Sequence, residues 1–469
     1  MRRHLTRLAL GTTLAIAVTV AASDLILGPT RPVPAPSGAA AVVAGSAGLG
    51  ASGGSAAIGL GGPGAPGSAA ASGSPRASGS PAASGSPTAS GSPVASGSPT
   101  ASGSPGAGVT PPPGGSAASS PILLYAQDWN SYPSTRSMAA WQEAAVTHEI
   151  LVGAPGPVYG NMIAQLHAWN PGLRVLVYDL GPYTVAGTAE YETLMAEHPD
   201  YFARDAQGNL ITVTAAGGSP AYPANTLMDE GNPGWQAWEA QRVASNIAEW
   251  GFDGAYIDSM GPGVFTGSTS GVPIDPSTGQ AYTPAQWLAA GAQALDVIKA
   301  AIGSKFLFST GLVNGVEYQE ETSALAGSTA NGFQTDSWMR LSDASPTAWP
   351  SPSLLASDLA MVQSLQAQGK AFFAWTKVWT AATPTQVSAW NTYALAAYLL
   401  VDNGVNDYYT FDSPFDSDRT TIFYPDELAA LGAPLGPFTL SDGVYTRSFQ
   451  HGSVTLDTTT NAAAVDVTP

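Results

Sequence analysis

Residues 251–258 read GFDGAYID, in which a Gly-Phe-Asp-Gly turn leads into a short apolar run that ends at a carboxylate. The run comprises Ala255, Tyr256 and Ile257, and such a run after turn residues is typical of a strand buried in a parallel sheet. In parallel α/β folds, functional side chains stand where the strands end. We therefore predict that Asp258 lies at the carboxyl end of a buried strand.

Seven further short apolar runs, each a predicted strand, occur in the rest of the globular region, residues 121–420. They are 122–129, 148–154, 174–180, 305–310, 331–336, 370–379 and 406–411. Helical patterns intervene; one begins at the N-cap pair Asn232-Pro233, and another covers 384–400. Eight strands alternating with helices predict an α/β fold, a (β/α)8 TIM barrel. Residues 421–469 instead alternate apolar and polar side chains between turns, which predicts a small antiparallel β element.

The first 26 residues have the pattern of a signal peptide, with an Arg-rich start and an apolar run from Leu8 to Ala22. The run falls short of the roughly 20 apolar residues that a membrane span needs. We expect a secreted or cell-envelope protein, with an uncleaved N-terminal anchor as the alternative.

Residues 27–120 consist almost entirely of Ala, Gly, Ser and Pro, and the pentapeptide ASGSP occurs in them six times. Such a segment lacks the apolar surface whose burial would offset the loss of chain entropy on folding. It predicts a disordered linker that carries the globular domain away from its point of attachment.

Charge and composition exclude several classes of function. Residues 121–469 carry 11 basic and 33 acidic side chains, a net charge of −22, which argues against nucleic acid or an anionic membrane as a partner. The chain has no Cys and five His, which excludes disulfides and thiolate zinc sites and disfavours a His-rich metal centre. We expect a monomer that uses neither cofactor nor metal.

Carboxylates and aromatic side chains dominate the predicted strand ends. The residues there are Asp128, Trp129, Asp179, Asp258, Asn314, Asp336, Lys377, Trp379 and Asp407. Glycoside hydrolysis needs two carboxyl groups, one to protonate the leaving oxygen and one to attack or to activate water, and aromatic rings stack on sugars. This pattern predicts a carbohydrate as the substrate.

Four segments resemble a family of hypothetical glycosyl-hydrolase-like proteins with a TIM-barrel fold and a GxDGxxxD motif on the fourth strand. The segments are GFDGAYID (251–258), HPDYFARDAQGNLI (198–211), MDEGNPGWQAWEA (228–240) and GPFTLSDGVYTRSFQHGSVTLD (436–457). The resemblance implies the fold and the reaction class but no particular sugar. A more distant likeness to the α-galactosidase-like clan, with its nucleophile on strand four and its acid on strand six, implies these roles for Asp258 and Asp336. The closer relatives more often have Glu on strand six, and Asp is one methylene shorter.

We assign the catalytic roles to Asp258 and Asp336, each of which has a structural alternative. Asp258 could order the following loop, and Asp336 could be a helix N-cap. Glu317 is an alternative acid. A carboxyl separation of about 5–5.5 Å would imply retention of configuration, and roughly 6.5–9.5 Å inversion.

The other strand-end residues are candidates for binding substrate. They are Asp128, Trp129, Asp179, Asn314, Trp338, Lys377 and Trp379. Asp128 and Asp179 would bind sugar hydroxyls or else pair with Arg or Lys, Lys377 would partner a carboxylate, and Trp338 and Trp379 would stack on sugar rings. The alternative to a secreted glycoside hydrolase is a barrel that only binds carbohydrate or serves as a structural cell-surface domain.

Overall fold

The computed structural model of the chain describes residues 122–128, 136–214, 224–413 and 423–468. The predicted signal peptide (1–26) and linker (27–120), as well as Trp129, lie outside these residues.

Eight parallel strands form one sheet in sequential order. The strands are Tyr125–Asp128 (β1), Ile150–Gly153 (β2), Arg174–Asp179 (β3), Gly254–Ile257 (β4), Phe306–Leu312 (β5), Gly332–Thr335 (β6), Ala371–Lys377 (β7) and Tyr408–Asp412 (β8). A parallel bridge between Leu124 and Tyr409 joins the first strand to the last. The predicted (β/α)8 barrel is therefore confirmed.

Helices connect most of the strands. They are Met138–Thr147 (α1), Ile163–Trp169 (α2), Ala189–Glu197 (α3), Pro233–Trp250 (α4), Pro284–Ile302 (α5), Pro352–Ala367 (α6) and Pro384–Val401 (α7). Side-chain caps begin several of them, including the two whose starts the sequence predicts. The Asn232 side chain accepts hydrogen bonds from the first turn of α4, and Thr283 and Thr383 form capping boxes at α5 and α7. Between β5 and β6 the chain makes only short helical turns over residues 315–326.

Aromatic side chains fill the interior of the barrel. Phe308 and Phe373 stack with their centroids 3.9 Å apart, and Tyr125, Tyr256 and Tyr408 pack around them. Because side chains alternate across a strand, every second residue of each barrel strand points into this cluster. The interior is thus a packed core that supports whatever stands at the carboxyl ends of the strands.

The segments after β3 and β4 form a small layer of their own. Tyr183–Val185 pairs with Asn225–Leu227, and Ile274–Asp275 pairs with Gln280–Ala281 in a second short hairpin. Tyr183, Leu227 and Trp287 are buried together in a separate hydrophobic cluster that holds the two loops to α5.

The chain ends in the predicted small antiparallel sheet, of strands Thr439–Ser441 (β9), Val444–Phe449 (β10), Gly452–Asp457 (β11) and Ala462–Val467 (β12). This sheet packs on α7. Arg447 anchors it, because its guanidinium donates to the carbonyls of Leu399 and Asp402 at the end of that helix. No helix in the described part of the chain is long and apolar enough to cross a membrane.

Candidate active site

Because side chains alternate along a strand, the strand-end residues form two sets, one that faces the barrel interior and one that faces the helices. Asp258 follows the interior residue Tyr256 by two positions, and Lys377 follows the interior residue Trp375 in the same way. Asp336 likewise follows Gln334, which is fully buried and bonded to interior side chains. These three residues therefore face the interior of the barrel at its carboxyl end.

Two hydroxyl groups hold the Asp258 carboxylate, one on each oxygen. Tyr178 on β3 donates to Oδ2 at 2.9 Å, and Thr310 on β5 donates to Oδ1 at 3.0 Å. Tyr256 on β4 contributes a longer contact of 3.5 Å to Oδ1. Asp258 is 4% exposed, so these donors replace most of the water that an aspartate would otherwise have.

Burial raises the pKa of Asp258 most, the charge of Asp336 raises it in the same direction, and the resulting pKa is about 6. The hydrogen bonds from Tyr178 and Thr310 and the charge of Lys377 act in the opposite direction. Two carboxyl groups whose charges influence each other are an arrangement that acid–base chemistry uses.

Asp336 forms an ion pair with a buried lysine. Its Oδ2 lies 3.3 Å from Lys377 Nζ, without the alignment of a hydrogen bond. The Lys377 side chain is 1% exposed and that of Asp336 is 19% exposed. The ammonium lies 4.1 Å from the ring centroid of Trp375 and 4.9 Å from that of Trp379, so two indole faces and one carboxylate surround the positive charge.

A buried amide connects the two carboxylates. Gln334 Nε2 donates to Asp336 Oδ1 and, at 3.1 Å, to the hydroxyl of Tyr256, which in turn contacts Asp258. Gln334 Oε1 accepts from Tyr125 at 3.0 Å and from Gln127 at 2.7 Å. Because Tyr125, Gln127 and Tyr256 are all buried, the amide has a fixed orientation and holds Asp336 in place.

Asp128 belongs to the set that faces the helices. The Arg136 guanidinium donates two hydrogen bonds to it, of 2.6 and 2.8 Å, and the hydroxyl of Tyr159 also donates to it. Both members of the ion pair are buried, with side-chain exposures of 2% and 0%. Of the two alternatives for Asp128, this placement supports pairing with Arg.

Asp179 also faces outward, toward α4. Arg242 Nη2 lies 2.8 Å from Asp179 and 2.8 Å from Glu239, so one guanidinium forms ion pairs with two carboxylates. Burial raises the pKa of Glu239 well above its usual value, and the neighbouring Asp179 raises it further. The structure again favours the structural alternative for this aspartate.

Two other candidates for substrate binding have structural roles. Asn314 is an N-cap whose Oδ1 accepts from the backbone N–H groups of Val316 and Glu317. Trp338 is 1% exposed, and its indole N–H donates to the carbonyl of Ala394 on α7, which leaves no open face for a sugar. Glu317, the alternative acid, is half-buried beside Asn314, which lies 3.4 Å from it.

Trp379 remains partly exposed, and its orientation is set by an aspartate that the sequence analysis missed. Its indole N–H donates to Asp412 Oδ2 at 2.8 Å. Asp412 ends β8, whereas Asp407 precedes that strand at the opposite end of the barrel. The placement of Asp407 at the carboxyl end of strand eight was wrong, because Asp407 is at the start of the predicted run 406–411 and the strand itself runs from Tyr408 to Asp412.

The amino-terminal end of the barrel carries a surface hollow lined in part by His167, Arg174, Asp253 and Phe306. Asp253 contacts His167 at 2.9 Å and accepts the backbone N–H of Val175, so it stabilises this end of the barrel. The described residues contain no cluster of His, Asp and Glu suited to a metal ion.

A family model described as hypothetical glycosyl hydrolase family 15 matches residues 167–453, which is more than half of the chain. The chain belongs to this family. The match runs from α2 to the C-terminal sheet and includes both inward-facing aspartates. No curated protein matches this member of the family.

Solved structures of several carbohydrate-active enzymes are similar to this family member, all at low identity. A cycloisomaltooligosaccharide glucanotransferase from Paenibacillus sp. is 15% identical with a TM-score of 0.39, and the match covers 55% of this chain and 38% of that one. A cycloalternan-degrading enzyme from Trueperella pyogenes is 12% identical with a TM-score of 0.43, covering 64% and 43%. A GH31 family sulfoquinovosidase from E. rectale is 14% identical with a TM-score of 0.41, covering 62% and 43%. In each case the match spans less than half of the other enzyme.

Proposed function

We propose that the protein is a secreted glycoside hydrolase that cleaves O-glycosidic bonds of an oligo- or polysaccharide with two carboxyl groups. The observation that carries the proposal is the pair Asp258 and Asp336. Both face the barrel interior at its carboxyl end, and a buried hydrogen-bonded network links them. Membership of a family of hypothetical glycosyl hydrolases supports the same reaction class.

Asp258 acts as the nucleophile or general base. Its two oxygens are oriented by hydroxyl donors, which leave further lone pairs for an attack on the anomeric carbon or for a water. Asp336 acts as the general acid that protonates the leaving oxygen. Its carboxyl is the more exposed of the two, as a group that meets the departing sugar must be.

Trp379 provides an aromatic wall for a sugar ring. The ring is partly exposed, and the hydrogen bond to Asp412 and the contact with Lys377 prevent it from turning. A rigid indole stacks on the apolar face of a sugar with little loss of side-chain freedom. Export of the enzyme rests on the sequence pattern of the leader and linker.

The experiment is hydrolysis of a panel of 2,4-dinitrophenyl and 4-nitrophenyl glycosides by the full-length chain and its variants. Asp258→Asn should lower kcat on a responsive substrate by at least about 10³-fold, because the step it performs has no substitute. Asp336→Asn should reduce turnover much more for the 4-nitrophenyl than for the 2,4-dinitrophenyl leaving group, which needs little protonation. Asp457→Asn, at a partly exposed position in the C-terminal sheet, is the matched control.

Proton NMR of the first-formed anomer distinguishes retention from inversion. If the enzyme retains configuration, a 2-deoxy-2-fluoroglycoside of the same sugar should label the peptide that contains Asp258. Hydrolysis that survives Asp258→Asn contradicts the assignment. Glycan binding without turnover, unchanged by Asp336→Asn, would instead support a barrel that only binds carbohydrate.

A further inference from the structure

A short chain of hydrogen bonds ends on Asp258. The backbone N–H of Ser259 donates to Thr310 Oγ1 at 2.6 Å, and Thr310 Oγ1 donates to Asp258 Oδ1 at 3.0 Å. A threonine hydroxyl has one proton, and its lone pairs point away from that proton. Because Ser259 occupies the acceptor side of the hydroxyl, the proton is directed to Asp258.

The direction of the Ser259 N–H depends on an unusual backbone conformation. Ser259 has a φ of 62°, a left-handed value that is uncommon for a residue other than glycine. The loop after β3 packs closely against this turn, since a Cβ at Gly181 would lie 1.9 Å from the carbonyl oxygen of Asp258. Strained backbone persists where its surroundings hold it, and such positions cluster at functional sites.

We propose that Thr310 is a positioning residue that orients Asp258 and favours its charged form, and that the left-handed turn at Ser259 sets the direction of the Thr310 hydroxyl. The inference rests on the proposed function, in which Asp258 must be ionised to attack or to activate water. It adds to that function a group that acts on Asp258 and does not itself touch the substrate.

Thr310 opposes several groups that favour the neutral form of Asp258. Burial and the negative charge of Asp336 both raise the pKa of Asp258, while the hydroxyls of Tyr178 and Thr310 and the ammonium of Lys377 lower it. The titratable groups that face Asp258 are Tyr178 on β3, Tyr183 after β3, Tyr256 on β4, Asp336 directly after β6 and Lys377 on β7. Thr310 differs from all of them because it donates a hydrogen bond and does not titrate.

The test is a 13C NMR titration of full-length protein labelled at the aspartate carboxyl carbons, with the Asp258 signal assigned from its loss in Asp258→Asn. Thr310→Val has nearly the same shape but no hydroxyl, and it should raise the titration midpoint of Asp258 by about one pH unit, a roughly tenfold change in proton affinity. Thr310→Ser restores the hydroxyl and should return the midpoint to the wild-type value.

An unchanged midpoint in folded Thr310→Val overturns the inference, and so does a serine variant that behaves like valine. If Thr310→Val does not fold, Thr310→Ala makes the same comparison without the second methyl group. The titration needs no substrate, so its outcome is independent of whether the protein hydrolyses glycosides. On a responsive aryl glycoside, the acid limb of kcat/KM should move with the midpoint, which a purely structural defect would not cause.

Discussion

Replacing Asp258 by Asn should stabilise the folded protein at neutral pH even as it removes activity. Asp258 is 4% exposed, and burial together with the charge of Asp336 raises its pKa from 3.8 to about 6. The folded state therefore binds this proton more tightly than the unfolded state does. The stability that the proton confers is fully present below the unfolded pKa and is lost as the pH rises through about 6.

The size of the expected change in stability follows from the pKa shift of Asp258. Each pKa unit corresponds to about 1.4 kcal/mol, so a shift of about two units makes the ionised carboxylate unfavourable by about 3 kcal/mol above pH 7. Asn carries no charge and avoids this penalty. Its amide NH2 cannot accept a hydrogen bond from Tyr178 or Thr310, and relative to the protonated carboxyl this lost hydrogen bond costs about 1 kcal/mol independently of pH.

Urea unfolding of wild type and Asp258→Asn, followed by tryptophan fluorescence at pH 4.5, 6 and 7.5, measures the difference directly. The free energy of unfolding of the variant should increase relative to wild type by about 2 kcal/mol from pH 4.5 to pH 7.5, with most of the change below pH 6.5. Comparing two pH values cancels the constant cost of the lost hydrogen bond.

Asp457→Asn is the control with the opposite sign. Hydrogen bonds from Thr459 and Thr460 lower the pKa of Asp457 to about 2, so this aspartate stabilises the fold when it is ionised. The Asp457→Asn variant should lose stability relative to wild type as the pH rises from about 2 to 4, and the difference should then stay constant from pH 4.5 to pH 7.5. A pH-independent difference for Asp258→Asn, or a variant less stable at pH 7.5 than at pH 4.5 relative to wild type, would refute the reasoning.

Three further predictions concern stability. Asp336→Asn should destabilise the fold by about 1–3 kcal/mol, because it leaves the buried ammonium of Lys377 without its paired carboxylate. Adding Lys377→Met to this variant should recover the lost stability, as measured by thermal unfolding. Glu230→Gln should raise the unfolding temperature at pH 8 and have little effect near pH 4. The reason is that burial raises the pKa of this fully buried carboxyl well above its usual value. Equal changes in unfolding temperature at both pH values would contradict this prediction. Arg447→Met removes the donors to Leu399 and should expose the C-terminal sheet to limited proteolysis while the barrel stays resistant; an unchanged digestion pattern would count against the anchor.

Much of the fold could be predicted because its signals are local. Each barrel strand is a short apolar run, and Asn232, Thr283 and Thr383 mark helix starts by hydrogen bonds within three residues of themselves. The strand that ends at Asp258 was predicted for the same reason. The error at Asp407 arose because this residue is at the start of the predicted run 406–411, whereas the carboxylate that ends β8 is Asp412, one residue beyond that run.

The site was harder to predict because its contacts are distant in sequence. Strand alternation alone could have separated Asp258 and Asp336, which face inward, from Asp128, which faces the helices. The supporting groups carry no such signal. Thr310 lies 52 residues from the carboxylate it contacts, and Gln334 lies 207 residues from Gln127.

The sequence by itself determined the number of strands, the starts of the main helices and the position of a carboxylate at the end of strand four, because each depends on neighbouring residues. Only the tertiary structure decided which carboxylates belong together and which are neutralised by arginine. Closing the barrel places β5 between β4 and β6, so Thr310 reaches Asp258 while Lys377 on β7 reaches Asp336. Burial then determines which of these groups titrates near neutral pH, since removing a charge from water is a property of the packed site and not of the residue.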